Sequence, residues 1–193
     1  MRWMLIVSAA TLALQARPAV VLDNAQVRAY RTTAGALAAV EHGPAVVVSL
    51  EAGTLGETIW LDDAASDAAG ARIHGAIAVV QPLRARSSPA AGGSKPGDAP
   101  FTGMTFRPMF ENERVSVIRA RMEVGAREGF HTHGSDTVVV HLSGGEIEDT
   151  ADGRTVVNRW ARGDVEFEAL GSSHSARNLG GAVDVVLVAL KPR

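Results

Sequence analysis

Three histidines are the residues of this chain best suited to chemistry: His131 and His133, separated only by Thr132, and His174 further on. Side chains alternate along an extended strand, so His131 and His133 point to one side of it. On a helix the same spacing would splay them by roughly 200°, a poor arrangement for chelation. The β-branched run from Thr137 to Leu142, closed by Gly144 and Gly145, predicts a second strand and a turn. His174 follows Gly163, Asp164 and Gly171. If these strands fold back on one another, His131, His133 and His174 meet at one point. Three imidazoles around an ion leave positions open for water or substrate. The chain has no cysteine, so a metal would be held by nitrogen or oxygen alone. Neutral imidazoles suit one divalent ion of Fe, Mn, Zn, Ni or Cu, and the sequence leaves its identity open. The competing reading is three pocket or surface histidines with no metal.

The spacing around these histidines resembles the two signature motifs of the cupin superfamily. The first motif reads Gly125, His131, His133, then Thr137 where the family has a glutamate, then Gly144. The second reads Gly163, Ala169 where the family has a proline, Gly171, His174 and Asn178. The resemblance implies an all-β fold, a double-stranded β-helix or jelly-roll barrel, over residues 101–193. It also implies a metal site at His131, His133 and His174. The resemblance is to small exported bacterial cupins. With Thr137 in the glutamate position, a three-histidine site stays near +2 and favours an anionic or chelating oxygen substrate. Asp136 is adjacent and replaces the glutamate if the strand slips by one residue, although such a slip turns side chains to the opposite face. Thr137 is otherwise placed to bond a metal-bound water. His141 shares parity with Thr137 but lies about 13 Å along the strand, which makes it a pocket or rim residue.

The chain has 193 residues, 46% of them hydrophobic, and a formal net charge of −2. That is enough to bury a core, and nothing in the charge pattern suggests a basic surface for nucleic acid. Arg2, the apolar run from Met4 to Leu14 and the small Ala16 together read as an export signal over residues 1–16. The apolar run is too short for a membrane span, so a secreted or periplasmic mature protein is expected. A buried first strand or an uncleaved anchor is the alternative.

The elements that must position the histidines read as short strands. Val27–Thr33, Ala45–Leu50, Thr58–Leu61 and Ala76–Val80 are expected in the first half. Ala34–Val40 and Asp63–Ala71 are alanine-rich enough for a helical turn. Residues 86–100, rich in Ser, Gly and Pro, read as a linker. Arg114–Met122, Glu146–Asp149, Arg154–Asn158, Val165–Glu168 and Val183–Leu190 are strands of the second half, and Asp152-Gly153 predicts a tight hairpin. Leu22–Arg31 aligns with Phe110–Arg119, and Val46–Gly53 with Val138–Gly145. This predicts an internal repeat: a bicupin-like chain whose first copy, residues 17–85, has lost its chemistry. There His42 stands where His131 does, and Pro44 where His133 does. A lone His42 is expected to be structural or on the surface.

Arg119, Arg121 and Arg127 are expected at solvated strand edges, and Trp160 and Phe167 in packing. Glu166 and Glu168 become candidate acids or bases if they line the pocket. The functional expectation is a metal-dependent enzyme, of dioxygenase or isomerase type, acting on a small substrate. Its ion would act as a Lewis acid or activate oxygen. A non-catalytic binding or sensing module using the same pocket is the alternative. A homodimer paired through sheet edges is expected from the resemblance alone.

Overall fold

The computed structural model describes residues 17–67, 72–84, 92–95 and 97–192. The export signal expected over residues 1–16 lies outside them, as do residues 86–91 and 96 of the linker. Among the described residues no helix is long and apolar enough to cross a membrane.

Five strands form the first sheet: β1 (Ala19–Asp23), β2 (Val27–Thr33), β3 (Ala45–Ser49), β4 (Thr58–Leu61) and β5 (Ala76–Pro82). Their order is β1-β2-β5-β3-β4. A 3-10 turn over Ala34–Ala39 covers its outer face through Leu37, which packs with Val47, Ile77 and Val79.

The second sheet contains β6 (Thr102–Glu111), β7 (Val115–Thr132), β8 (Thr137–His141), β9 (Gly145–Ala151), β10 (Arg154–Trp160), β11 (Val165–Glu168), β12 (Ser173–Asn178) and β13 (Val183–Leu190). Its order is β10-β9-β12-β7-β13-β8-β11, with β6 also paired to β7. β7 is the strand that turns this sheet into a jelly-roll barrel. Its first part, Val115–Met122, pairs with β13, and its last part, from Arg127 to Thr132, pairs with β12. Gly125 lies between the two parts with φ +74°, a conformation that favours glycine. One strand therefore belongs to both walls.

Alternation along the central strands sorts side chains into two apolar layers. Val138 and Val140 of β8 and Val186 and Val188 of β13 face the first sheet. They pack there with Val46 and Val48 of β3 and Ala78 and Val80 of β5. Thr137, Val139 and His141, with Val183, Val185 and Leu187, face the barrel interior. Both faces are covered, which is why these strands read as continuous β-branched runs. Arg119 ties the two sheets together. Its Nε donates to Asp184 Oδ1 at 2.9 Å, its Nη2 to Asp184 Oδ2 at 2.5 Å, and its Nη1 to the Leu55 carbonyl at 3.1 Å. It is therefore not at a solvated edge as expected.

The strand order of the first sheet matches that of β6-β7-β13-β8-β11, position for position. The hairpins match as well. Asn24 Oδ1 accepts from the Gln26 and Val27 amides, and Asn112 Oδ1 from the Arg114 and Val115 amides. Among the described residues β9, β10 and β12 have no counterpart in the first sheet. The described part of the linker lies against the barrel: Gly93 and Thr132 exchange backbone hydrogen bonds of 2.8 and 3.1 Å.

Asn178 braces the β7 bend. It is buried, its side-chain amide donates to the carbonyls of Met122, Glu123 and Gly181, and its Oδ1 accepts from the Gly180 amide. Asn178→Ala leaves those carbonyls without their donor and should cost about 2–3 kcal/mol in urea unfolding. A loss below about 0.5 kcal/mol would mean that the bend does not depend on Asn178.

Candidate metal centre

His131 and His174 are directly opposed Cα partners on β7 and β12. Such opposed side chains approach within about 4.5–5.5 Å. His133, two residues beyond His131, shares its face. The amide of His133 donates to the Ser172 carbonyl, and the amide of Gly171 to the His133 carbonyl. Gly171 has φ +81° and begins the short turn that leads back to His174. The ring centroids lie 4.8 Å apart for His131–His133, 4.8 Å for His131–His174 and 5.0 Å for His133–His174. One ligating nitrogen from each ring falls within 4.8 Å of the other two. The three side chains are 12%, 11% and 15% exposed.

Two of the rings are oriented by their outer nitrogens. His131 Nδ1 donates to the Gly129 carbonyl at 3.0 Å, and His174 Nδ1 donates to Asp149 Oδ1 at 2.9 Å. In a neutral ring this leaves Nε2 with its lone pair free. His174 Nε2 is buried and has no hydrogen-bond partner. A bare, inward imidazole nitrogen backed by a carboxylate on its other nitrogen is the arrangement that suits a metal ligand.

Two carboxylates flank the rings. Glu128 Oε1 is 3.7 Å from His131 Nε2, and its Oε2 is 3.9 Å from His174 Nε2. Glu168 Oε2 is 3.4 Å from His133 Nδ1, and its Oε1 is 4.0 Å from His174 Nε2. No lysine or arginine among the described residues pairs with either carboxylate. Burial, reinforced by Glu128, Glu166 and Asp149, pushes the Glu168 carboxyl up to about 8. Burial also raises Glu128, against the pull of His174 and His131. Burial, then the neighbouring His174 and His131, holds His133 down at about 4. The shifts share one cause, the cost of charge in a dry place without a countercharge. A divalent cation suits this donor set: imidazole nitrogens are common metal ligands, and among the described residues no lysine or arginine offsets the carboxylates.

The rings open into a cavity of about 450 Å³, lined with apolar side chains that include Met104, Met122, Val139 and Leu187. This is the size range of small-molecule sites. At its other end His141, whose side chain is 2% exposed, stacks on Trp160 at 4.6 Å. Neither ring nitrogen of His141 has a hydrogen-bond partner, and Glu166 Oε2 lies 3.7 Å from its Nε2.

Thus the structure brings together His131, His133 and His174, and adds Glu168, Glu166 and Thr137 to the cavity wall. His141 also lines the cavity but stands apart from the three rings. Asp136 does not line it: its Oδ1 accepts from the Leu170 amide at 2.8 Å. The slip that would bring Asp136 inward is absent, because β8 pairs with β11 and β13 in a register that turns Thr137 inward. Trp160 is a cavity wall rather than plain packing, whereas Phe167 packs on the core between the sheets. His42 is exposed and paired with Asp63. Arg121 is half exposed and bonded to Glu123.

Glu128 and Asp149 were not expected from the sequence. Glu128 lies three residues before His131, the wrong parity for a shared face. The β7–β12 register shifts between His174 and Ala176, so three residues of β7 span two of β12. This bulge brings Glu128 round to the side of His131.

A curled jelly-roll barrel carrying both histidine motifs on facing strands is the fold of the cupin superfamily. The chain shares that fold. No family model matches the chain, and no curated protein matches it. Among solved structures it is similar to a cupin domain from Bordetella pertussis Tohama I at 27% identity, covering 46% of this chain and 94% of that one, with a TM-score of 0.44. It is similar to an RmlC-like cupin protein from Desulfovibrio desulfuricans at 22% identity, covering 47% and 84%, with a TM-score of 0.39. A third, an RmlC-like cupin from Shewanella frigidimarina, is 17% identical over 54% and 95%, with a TM-score of 0.40.

Asp149→Ala would release the His174 ring. Zinc affinity, measured by calorimetry, should fall roughly 10–100-fold. Unchanged affinity would show that the Asp149 bond does not orient a ligand.

Proposed function

We propose that His131, His133 and His174 hold one divalent metal ion and that the chain is a metal-dependent cupin enzyme of dioxygenase or isomerase type. The observation that carries this reading is the bare, buried Nε2 of His174, aimed at the other two rings while Nδ1 is fixed on Asp149. When bound, the ion would supply Lewis acidity or activate oxygen.

The chain's own residues do the rest. The apolar wall excludes water and accepts the hydrocarbon body of a small substrate, whose oxygen atoms face the three rings. His141, stacked on Trp160 and without a hydrogen-bond partner, receives a polar group at the far end of the cavity. Glu128, beside His131 and His174, is placed to hold or move a proton close to the bound oxygen atoms. A site for binding alone does not need a buried carboxylate at that position. This favours an enzyme over a non-catalytic sensing module.

We further read the first sheet as a truncated copy of the barrel. The shared strand order and the matching Asn24 and Asn112 turns support this. The missing strands are those that would carry counterparts of His174 and Asp149. The export signal belongs to the same proposal, with the site working outside the cytoplasm.

Metal analysis of protein purified without an affinity tag tests the site. The wild type should carry about one divalent ion per chain, and His131→Ala and His174→Ala should carry almost none. Unchanged metal content in both variants would contradict the assignment. Oxygen uptake with catechols, thiols and β-diketones then separates the two functions: turnover of any of these supports the enzyme, and a loaded protein inert to all of them supports the binding module.

A further inference from the structure

We infer that Glu168 is a fourth ligand, reaching the ion from the strand beside the one that carries Thr137. This rests on the three-histidine site proposed above. Thr137 and Glu168 are Cα partners in the antiparallel pairing of β8 with β11. Residues so opposed share one face of the sheet, with Cβ atoms about 4.5–5.5 Å apart. A longer side chain at 168 therefore reaches the space that a long side chain at 137 would reach. Thr137 itself is too short to contribute. Its hydroxyl faces the Ser135 carbonyl at 3.5 Å.

The distances agree. Donors that each lie about 2.0–2.2 Å from one ion stand roughly 3–4 Å from one another. The two Glu168 oxygens are 3.4 Å from a ring nitrogen of His133 and 4.0 Å from one of His174. The Glu168 side chain is 18% exposed, and among the described residues its ion-pair partners are these two rings. A carboxylate sunk among imidazoles, with no lysine or arginine beside it among the described residues, is complemented by a cation between them. The donor set is then three nitrogens and one oxygen, with the oxygen moved across one strand pairing.

Glu128 is the rival donor, at 3.7 and 3.9 Å from His131 and His174. It stands opposite Ala176, in the bulged part of β7, and not across from Thr137. The two carboxylates therefore differ in one testable respect. Only the loss of Glu168 can be repaired from position 137.

Calorimetric titration of the metal-free full chain with Mn²⁺, and the visible absorption of its Co²⁺ form, test this. Glu168→Gln keeps the shape and removes the charge. It should weaken Mn²⁺ binding at least about tenfold and alter the Co²⁺ spectrum. Thr137→Glu/Glu168→Thr should regain most of the affinity that Glu168→Thr loses, while Thr137→Glu should not repair Glu128→Gln. Unchanged affinity and spectrum in Glu168→Gln, or a double variant no better than Glu168→Thr, would overturn the inference while leaving the three histidines in place. Should His174→Ala bind Mn²⁺ as the wild type does, the three-histidine site itself fails, and this inference falls with it.

Discussion

Two carboxylates and three imidazoles share a dry space in which, among the described residues, neither carboxylate has a lysine or arginine partner, and the rest of the barrel depends on that imbalance. Burying Glu128 and Glu168 raises the cost of their negative charge, and burying His133 raises the cost of a positive one. Imidazolium is a poor answer, because three rings with centroids about 5 Å apart would repel one another if all were charged. One compact dication is a better answer, since it leaves the rings neutral while complementing the acids. The apolar wall sharpens this preference by keeping water from screening the charges.

The fold meets the constraint through one strand. β7 pairs with β13 along its first part and with β12 along its last. It therefore delivers His131 and His133 to the wall on which His174 sits, while β8 and β11 bring Thr137 and Glu168 across the interior. The bulge between Glu128 and His131 adds a carboxylate that a regular strand would turn outward. Behind this wall the first sheet supplies apolar cover, through Val46, Val48, Ala78 and Val80. It keeps β8 and β13 buried on both faces and so holds their register. A slip by one residue there would replace Thr137 with Asp136 and turn His141 out of the cavity.

Much of this was legible in the chain. β4 and β13 run over the expected residues because β-branched and aromatic content between turn residues leaves little choice, and β11 because its residues alternate apolar and charged. The Asp152-Gly153 hairpin forms as its residue types require, with φ of +50° and +71°. The histidine cluster was legible because His131 and His133 share parity and His174 lies at motif spacing. β6 was hidden. Pro108 and Gly103 interrupt it, and it pairs with β7 only through two register shifts, one of them at Pro108. Glu128 was hidden because a bulge reverses parity, and parity was the only guide. Glu168 had a role that depended on which strand lies beside β8, and local spacing does not encode that. Trp160 looked like packing because stacking on His141 is a contact between distant residues.

Imidazole nitrogen NMR of the metal-free protein during a Zn²⁺ titration tests the shared centre most directly. One ring nitrogen each of His131, His133 and His174 should shift together and reach an endpoint at about one ion per chain, while His42 and His141 stay in place. Rings that respond at different stoichiometries, or a His174 that does not respond at all, would contradict a single ion held by all three.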